Sequence, residues 1–269
     1  MANLFQRLED TAARGAAGLA AESRVAVTRA MLSLQRPDGG FAGLDGRSDP
    51  YYTLFAWLGL RALGAGYDCD RVCAYMRAHR RDANPIDARC ARFVLAAEGR
   101  GHRASWPAAV ASLVCGDAYG AFLALLAADR VPRWLARLLR WRQPLVFSSS
   151  ALERLPTPRL AAGLILERLS GRRGTSITPM LESRRCPGGG FAAAPGAPAD
   201  LLATAVSRFA LGVDAASAKT PSRNDGRDDD LAFVGACWLD DGLFGASTAA
   251  RQGDAEHTFY GLLALGTCR

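Results

Sequence analysis

The chain contains almost no lysine. Of its 33 basic residues only Lys219 is a lysine, and all the others are arginines. The arginines are spread along the whole sequence, so the net charge of +7 does not form the clustered basic stripe that is typical of a nucleic-acid-binding protein. We therefore expect no nucleic-acid partner.

Long apolar runs, paired metal ligands and phosphate-binding loops are also missing. No uninterrupted apolar stretch approaches the ~20 residues of a membrane-spanning helix, and the N-terminus lacks the basic start and apolar centre of a secretory signal. The seven cysteines include no Cys-x-x-Cys pair, which favours reduced thiols. No Lys-Ser/Thr follows the glycine clusters, which excludes a P-loop. We expect a cytoplasmic protein that is not transmembrane.

The alternating pattern of a β-strand is nearly absent, whereas apolar residues recur at helical spacing throughout, so the sequence predicts an all-α fold. A helix within residues 1–22 is predicted to pack as an N-terminal cap. Asp49-Pro50 is a typical helix start, and Gly64 a typical stop. The polar residues 214–227 are predicted to form a surface loop, and the acidic cluster that follows, Asp228 to Asp230, a solvated helix cap.

One pattern occurs three times. Each copy has a glycine-containing loop, a phenylalanine plug and then an Asp-x-x-x-Thr motif that opens an apolar helix. The copies run from Gln35, Cys186 and Cys237, with plugs Phe41, Phe191 and Phe244, and helix starts Asp49–Thr53, Asp200–Thr204 and Asp254–Thr258. Self-similarity of this kind is typical of a repeat architecture.

The predicted helices alternate in about six hairpins, and the second helix of each hairpin is the more apolar. A helix that is apolar nearly all round is buried on both sides, so we expect second helices inside and first helices outside. This arrangement predicts a single domain over residues 1–269, an α/α toroid with inner and outer rings. Four aromatic residues of the inner helices are expected to line its central cavity: Tyr52, Trp57, Tyr119 and Phe122.

The N-termini of the inner helices should converge on one rim of that cavity, which makes their first turns the candidate site. The candidate catalytic residues are Asp200, Asp254, Glu256, His257 and Tyr260. His257 stands out because an imidazole in the first turn of an inner helix can bind a metal ion or move a proton. Each aspartate can equally be a helix cap, and His257 can equally be a hydrogen-bonded structural residue.

The unit of Gln or Cys, a glycine-rich turn, phenylalanine, and Asp-x-x-x-Thr resembles the prenyltransferase/squalene-oxidase repeat. That superfamily includes protein prenyltransferase β subunits and triterpene cyclases, and the Gly-Gly-Phe form at residues 39–41 is closer to the β subunits. The likeness is clear at residues 23–64 and 182–266. It implies an α/α toroid that binds an isoprenoid or another apolar chain.

The resemblance also implies site residues. The β subunits bind zinc through Asp-x-Cys in one inner helix and a His-Thr pair in the last, which puts Asp200 and His257 in metal-ligand positions and Tyr260 in that of a pocket tyrosine. Leu202, however, stands in the position of the cysteine ligand, so the zinc set is incomplete. The basic residues that hold diphosphate in the family have no counterpart before Asp200. A partner α subunit is implied as well.

Two functions therefore stay open. The first is a prenyltransferase-like or terpenoid-cyclase-like enzyme that binds an apolar chain and works at the rim near His257. The second is a non-catalytic lipid-binding or protein-interaction member with a degenerate metal site. The Asp-x-Asp-Asp acid motif of the cyclases is not matched by Asp228-Asp229-Asp230, which has the wrong spacing.

Overall fold

The structure is a computed structural model that describes residues 4–101, 153–169, 177–212 and 226–268. The described residues are mostly helical, as the sequence predicts. None of the helices among them is long and apolar enough to cross a membrane. The first described range contains α1 (Leu4–Ala17), α2 (Ala21–Ser33), α3 (Pro50–Leu63), α4 (Cys69–His79) and α5 (Pro85–Ala97).

The later ranges contain five helices and one very small sheet. The elements are α6 (Thr157–Leu169), α7 (Ile177–Glu182), β1 (Phe191–Ala192), β2 (Ala199–Asp200), α8 (Leu201–Gly212), α9 (Arg227–Ala236) and α10 (Ala255–Cys268). The two strands pair antiparallel, with Phe191 opposite Asp200. They are a departure from the all-helical prediction, since two residues are too few for an alternating pattern to show.

Helix α3 has the boundaries that the sequence predicts. Oδ1 of Asp49 accepts hydrogen bonds from the backbone N–H groups of Tyr51 and Tyr52 at 2.7 and 3.2 Å, and Gly64 ends the helix at φ 64°. Helix α7 has only six residues. The part of the six predicted hairpins that falls at residues 102–152 lies outside the described residues, as does nearly all of the predicted loop at residues 214–227.

Burial separates the helices into two kinds, as expected from their composition. Twelve of the fourteen residues of α10 are buried, and ten of the fourteen of α3. In contrast, only two of the thirteen residues of α2 are buried. The first helix of a hairpin therefore faces solvent, and the second lies in the core.

The buried helices are neighbours in the order α5, α3, α10, α8, α6. The first and the last buried helices of the repeats, α3 and α10, are thus in contact although they are far apart in the sequence. Helix α1 lies across both of them. It approaches α10 so closely at Gly15 and Gly266 that neither position has room for a Cβ atom, and Glu9 forms an ion pair with Arg61 at 2.6 Å.

The three sequence copies have the same hydrogen-bonded frame. In each, the N–H of the plug phenylalanine donates to the Oγ1 of the helix threonine, and that hydroxyl donates to the carbonyl of the aspartate four residues earlier. The N–H···Oγ1 distances are 2.9 Å for Phe41 and Thr53, 2.9 Å for Phe191 and Thr204, and 3.1 Å for Phe244 and Thr258. The threonine-to-carbonyl distances are 2.7, 2.7 and 2.6 Å.

One glycine of each loop packs against the backbone of an exposed helix. Gly39, at φ 93°, lies against Arg71 of α4, and Gly189, at φ 88°, lies against Asp229 of α9. Both contacts are with the helix that begins the next hairpin. Gly242, at φ 86°, lies against Ala26 of α2. The loop of the last copy therefore packs on α2, the exposed helix that comes just before the glycine loop of the first copy.

The prediction that the acidic cluster is a solvated cap is wrong for Asp230. Its side chain is fully buried, and it accepts hydrogen bonds from Arg208, from Arg185 at 3.0 Å and from the N–H of Gly190 at 2.6 Å. The buried charge is stable because two guanidinium groups and a backbone donor satisfy it. Asp230 therefore fastens the second glycine loop to α9.

Candidate functional site

An apolar cavity lies between the buried helices. Its volume is about 40 Å³, which admits a few atoms of the size of a water molecule, whereas sites for drug-sized ligands span ~300–1,000 Å³. The lining is almost wholly apolar: Leu8, Leu54, Phe55, Leu58, Phe93, Pro158, Ala161, Ala162, Ile165, Leu202, Val206, Phe209, Phe259, Tyr260 and Leu263. Such a lining repels polar groups and suits a hydrocarbon.

Four helices, α3, α6, α8 and α10, supply most of this lining. Each contributes side chains spaced by one helical turn, such as Leu202, Val206 and Phe209 of α8, because residues three or four apart share one face of a helix. Asp49, Asp200 and Asp254 come immediately before α3, α8 and α10. They lie at one end of the cavity, where charged groups are close enough to perturb one another.

The four residues predicted from the sequence to line the cavity are not found among its described lining residues. Tyr52 is half-buried in the first turn of α3, at the rim rather than in the lining. Trp57 does not line the cavity: its ring stacks on Phe5 of α1 and its N–H donates to Glu98 at 2.7 Å, which hold it between helices. Tyr119 and Phe122 lie outside the described residues. The lining also contains four aromatic residues that were not among the predicted ones, although their helical spacing marks them as core residues: Phe55, Phe93, Phe209 and Phe259.

His257 and Asp254 form a hydrogen-bonded pair in the first turn of α10. Oδ2 of Asp254 binds Nδ1 of His257 at 2.8 Å, and Oδ1 accepts the N–H of the same residue at 2.8 Å. Burial alone would lower the pKa of His257, but the hydrogen bond and the negative charges of Asp254, Glu256 and Asp200 raise it above its usual value. The imidazole is therefore oriented, with Nε2 left for a further partner.

Glu256, next to this pair, is a buried residue with 8% of its surface exposed. Burial raises the pKa of Glu256, although the hydrogen bond that the hydroxyl of Tyr51 donates to its Oε1 and the nearby His257 oppose the shift. Tyr51 in turn packs on Phe55, which contacts Tyr260 at a ring-centroid distance of 5.2 Å. A carboxyl group with an increased tendency to hold its proton thus adjoins the aromatic wall of the cavity.

The described residues at the rim are predominantly acidic. Burial together with the negative charges of Asp254, Glu256 and Asp49 raises the pKa of Tyr52 to about 12. Asp200 also contributes negative potential at Glu256 and His257. The described part of the rim therefore attracts cations and repels anions.

The structure places Asp200 and Leu202 in two different environments. Oδ1 of Asp200 accepts a hydrogen bond from the N–H of Ala203 at 2.8 Å and so caps α8. This agrees with the alternative interpretation of Asp200 as a helix cap. Leu202 lies in the cavity lining, as does Tyr260. At the position where protein prenyltransferase β subunits have a thiolate ligand, this chain thus has an apolar side chain that faces other apolar side chains.

Three neighbouring side chains at the start of α10 could together hold a metal ion. One donor atom each from Asp254, Glu256 and His257 lie within 4.8 Å of one another, and this is the one such group of three or more among the described residues. Asp200 is not part of it. Both oxygens of Asp254 and one of Glu256 already accept hydrogen bonds, so the freest donors are the second oxygen of Glu256 and Nε2 of His257.

Comparisons with known proteins add no relative: the chain matches no model of a known protein family and no curated protein sequence.

Proposed function

We propose that the chain closes into an α/α toroid of the prenyltransferase/squalene-oxidase repeat type. Two contacts support closure. The last buried helix, α10, packs beside the first, α3, and the glycine loop at Gly242 packs on α2 in the way that Gly39 and Gly189 pack on the next exposed helix. The last copy is thus followed in space by the first, which is the relation that a closed ring of repeats requires and that an open array lacks.

Within this toroid the cavity binds the hydrocarbon part of an isoprenoid or a similar apolar molecule. The apolar lining from four helices supports this proposal. Because the cavity measures only about 40 Å³, the lining side chains must move apart to admit such a chain. Burial of a hydrocarbon then contributes roughly 0.8 kcal/mol for each CH₂ group, which opposes the free-energy cost of opening.

The activity proposed for the rim is general acid–base chemistry on the end of the bound chain. The observation that carries it is the buried carboxyl of Glu256, beside the cavity wall, with a raised pKa. A carboxyl group whose pKa is raised keeps its proton to a higher pH than an ordinary glutamate and can act as a general acid. His257, oriented by Asp254, is the second proton-carrying group.

The charge of the rim selects among substrates. An acidic rim that contains Asp200, Asp254 and Glu256 repels the negative charge of a diphosphate. We therefore propose an uncharged hydrocarbon or alcohol as the substrate class. The zinc ion that the resemblance implies would be held by Glu256 and by Nε2 of His257, while Asp254 orients the imidazole through Nδ1. When bound, it would act as a Lewis acid at the same place.

The experiment extracts the purified protein with organic solvent and identifies the released molecules by mass spectrometry. We expect an isoprenoid or another apolar molecule in amounts close to one per chain. Ala162→Phe fills the cavity and should abolish the bound molecule, whereas Glu256→Gln should retain it and lose turnover of the identified ligand. Glu22→Gln, at an exposed carboxylate of α2, is the matched control and should lose neither.

The narrow cavity supports a second candidate, a non-catalytic scaffold of the same superfamily. In that case the extraction releases no apolar molecule from a protein that is folded by circular dichroism. Glu256→Gln then only stabilises the fold, because it removes a buried ionisable group whose charge has no function. A variant that is more stable and has no other defect would therefore decide against an enzyme.

A further inference from the structure

A cleft along the α4–α5 hairpin is lined by arginines. Its volume is about 630 Å³, within the ~300–1,000 Å³ range of small-molecule sites. Seven of the described residues line it, of which five are arginines and the other two are Leu95 and Gly101. The arginines are Arg77, Arg80, Arg81, Arg92 and Arg100.

Most of these charges lack an acidic partner within the described ranges. Arg100 pairs with Asp70 at 2.5 Å, at one end of the cleft. None of the other four forms an ion pair with a residue that the structure describes. All five side chains belong to exposed residues, so the guanidinium groups are available to a ligand.

The clustering is unfavourable in itself. Arg77 lies in the last turn of α4, and Arg80 and Arg81 follow directly after the helix, so like charges that repel one another lie close together. The dipole of α4 favours cations at its last turn, which accounts for Arg77 and Arg80. It does not account for Arg92, which lies in the middle of α5 and brings a further positive charge to the same cleft.

We propose that this cleft binds a small ligand with several phosphate groups, such as a di- or triphosphate. Guanidinium groups hold phosphate through two parallel hydrogen bonds and stay charged at every working pH. A concave cleft with several such groups offers many donors to one compact polyanion. The proposal is independent of the cavity and assigns phosphate recognition to a part of the chain remote from the acidic rim, which repels it.

Isothermal titration calorimetry of the full chain with inorganic tripolyphosphate tests the site. We expect one molecule per chain, and an affinity that falls as sodium chloride is increased. The double variant Arg80→Gln/Arg92→Gln should bind at least roughly tenfold more weakly for each arginine, because a hydrogen bond to a charged group contributes more than the free energy of a tenfold change. The substitutions are at exposed residues, so the variant should keep the melting temperature of the parent.

The matched control is Arg24→Gln/Arg29→Gln, which removes two exposed arginines from α2 and should leave the affinity within about twofold, as expected of a distant and independent pair. Equal weakening by both double variants would show that only net charge matters and would overturn the proposal. So would the absence of binding to the parent protein. Preferential binding of a single-stranded oligonucleotide over tripolyphosphate would assign the cleft to nucleic acid instead.

Discussion

The second and third copies of the repeat have the same frame and differ at all three residues between the helix aspartate and the helix threonine, of which the last two change from apolar to ionisable. Asp200 is followed by Leu201, Leu202 and Ala203, whereas Asp254 is followed by Ala255, Glu256 and His257. Both copies have the same plug and the same threonine hydrogen bonds.

The comparison separates architecture from chemistry. One copy completes the apolar lining through Leu202, and the other adds a buried acid and an imidazole at the rim. In the first copy the same two positions hold Tyr51 and Tyr52, and Tyr51 donates to the acid of the third. The shared residues thus specify the fold, and these two positions are free to specify a function.

The loop glycines should give the largest loss of stability when a side chain is added. At Gly189 a Cβ atom would collide with the carbonyl of Asp229, whereas at Gly242 it would lie 3.0 Å from the carbonyl of Ala26. We expect Gly189→Ala to cost about 2–5 kcal/mol from backbone strain and overlap, and Gly242→Ala less. Urea denaturation measures both.

Gly188→Ala is the control for the glycine pair, since nothing lies within 4 Å of that position and its φ is not positive. It should change the free energy of unfolding by less than about 0.5 kcal/mol. Equal losses of unfolding free energy at Gly188 and Gly189 would contradict this explanation. The close contact of Gly189 with α9 would then not be the reason that the copies share this turn.

The repeated motif, its aspartate caps and its turn glycines could be predicted from the sequence because their causes are local. The hydrogen bond from the plug phenylalanine to the helix threonine was not predicted, since it joins residues 12 to 14 positions apart. Even the assignment of buried and exposed helices follows from composition. Asp230 shows the limit: its neighbours in sequence indicate a solvated cap, but its partners Arg185 and Arg208 come from elsewhere in the chain.

The site was predicted less completely for the same reason. Glu256 and His257 were identified as rim residues, yet the partner of Glu256 is Tyr51, 205 positions earlier in the chain. The arginines that line the cleft look dispersed in sequence, and only the pairing of α4 with α5 brings Arg80 and Arg92 together. Contacts between distant positions leave no pattern in a single sequence.

The helix threonines should give intermediate effects that are similar in the second and third copies. Thr204→Val and Thr258→Val leave the N–H of Phe191 and Phe244 buried without a partner. Each should cost about 1–3 kcal/mol, the penalty of an unsatisfied buried donor, and serine at either position should restore most of it. Chemical denaturation of the four variants measures this. If Thr258→Val lost several times more unfolding free energy than Thr204→Val, the hydrogen-bonded frames of the two copies would not be equivalent.

The smallest effect on stability, and the sharpest on chemistry, should come from the capping aspartates. Asparagine still caps a helix, so Asp200→Asn and Asp254→Asn should both fold. Only Asp254→Asn removes the carboxylate that binds Nδ1 of His257. We expect it to lower the pKa of His257, because the opposing effect of burial then prevails, whereas Asp200→Asn should lower that pKa only slightly, since Asp200 acts through its charge alone.

The consequence for folding has a definite sign. Because the pKa of His257 is raised in the folded protein, protonation stabilises the fold below the unfolded-state pKa of ~6.5, and this contribution is lost as pH rises through the raised value. Asp254→Asn should flatten that pH dependence, and Asp200→Asn should preserve most of it. NMR titration of the imidazole signals, assigned with His257→Gln, gives the pKa values directly. An unchanged pKa in Asp254→Asn would leave the third copy with a cap like that of the second, and the chemical distinction between them would rest on Glu256 alone.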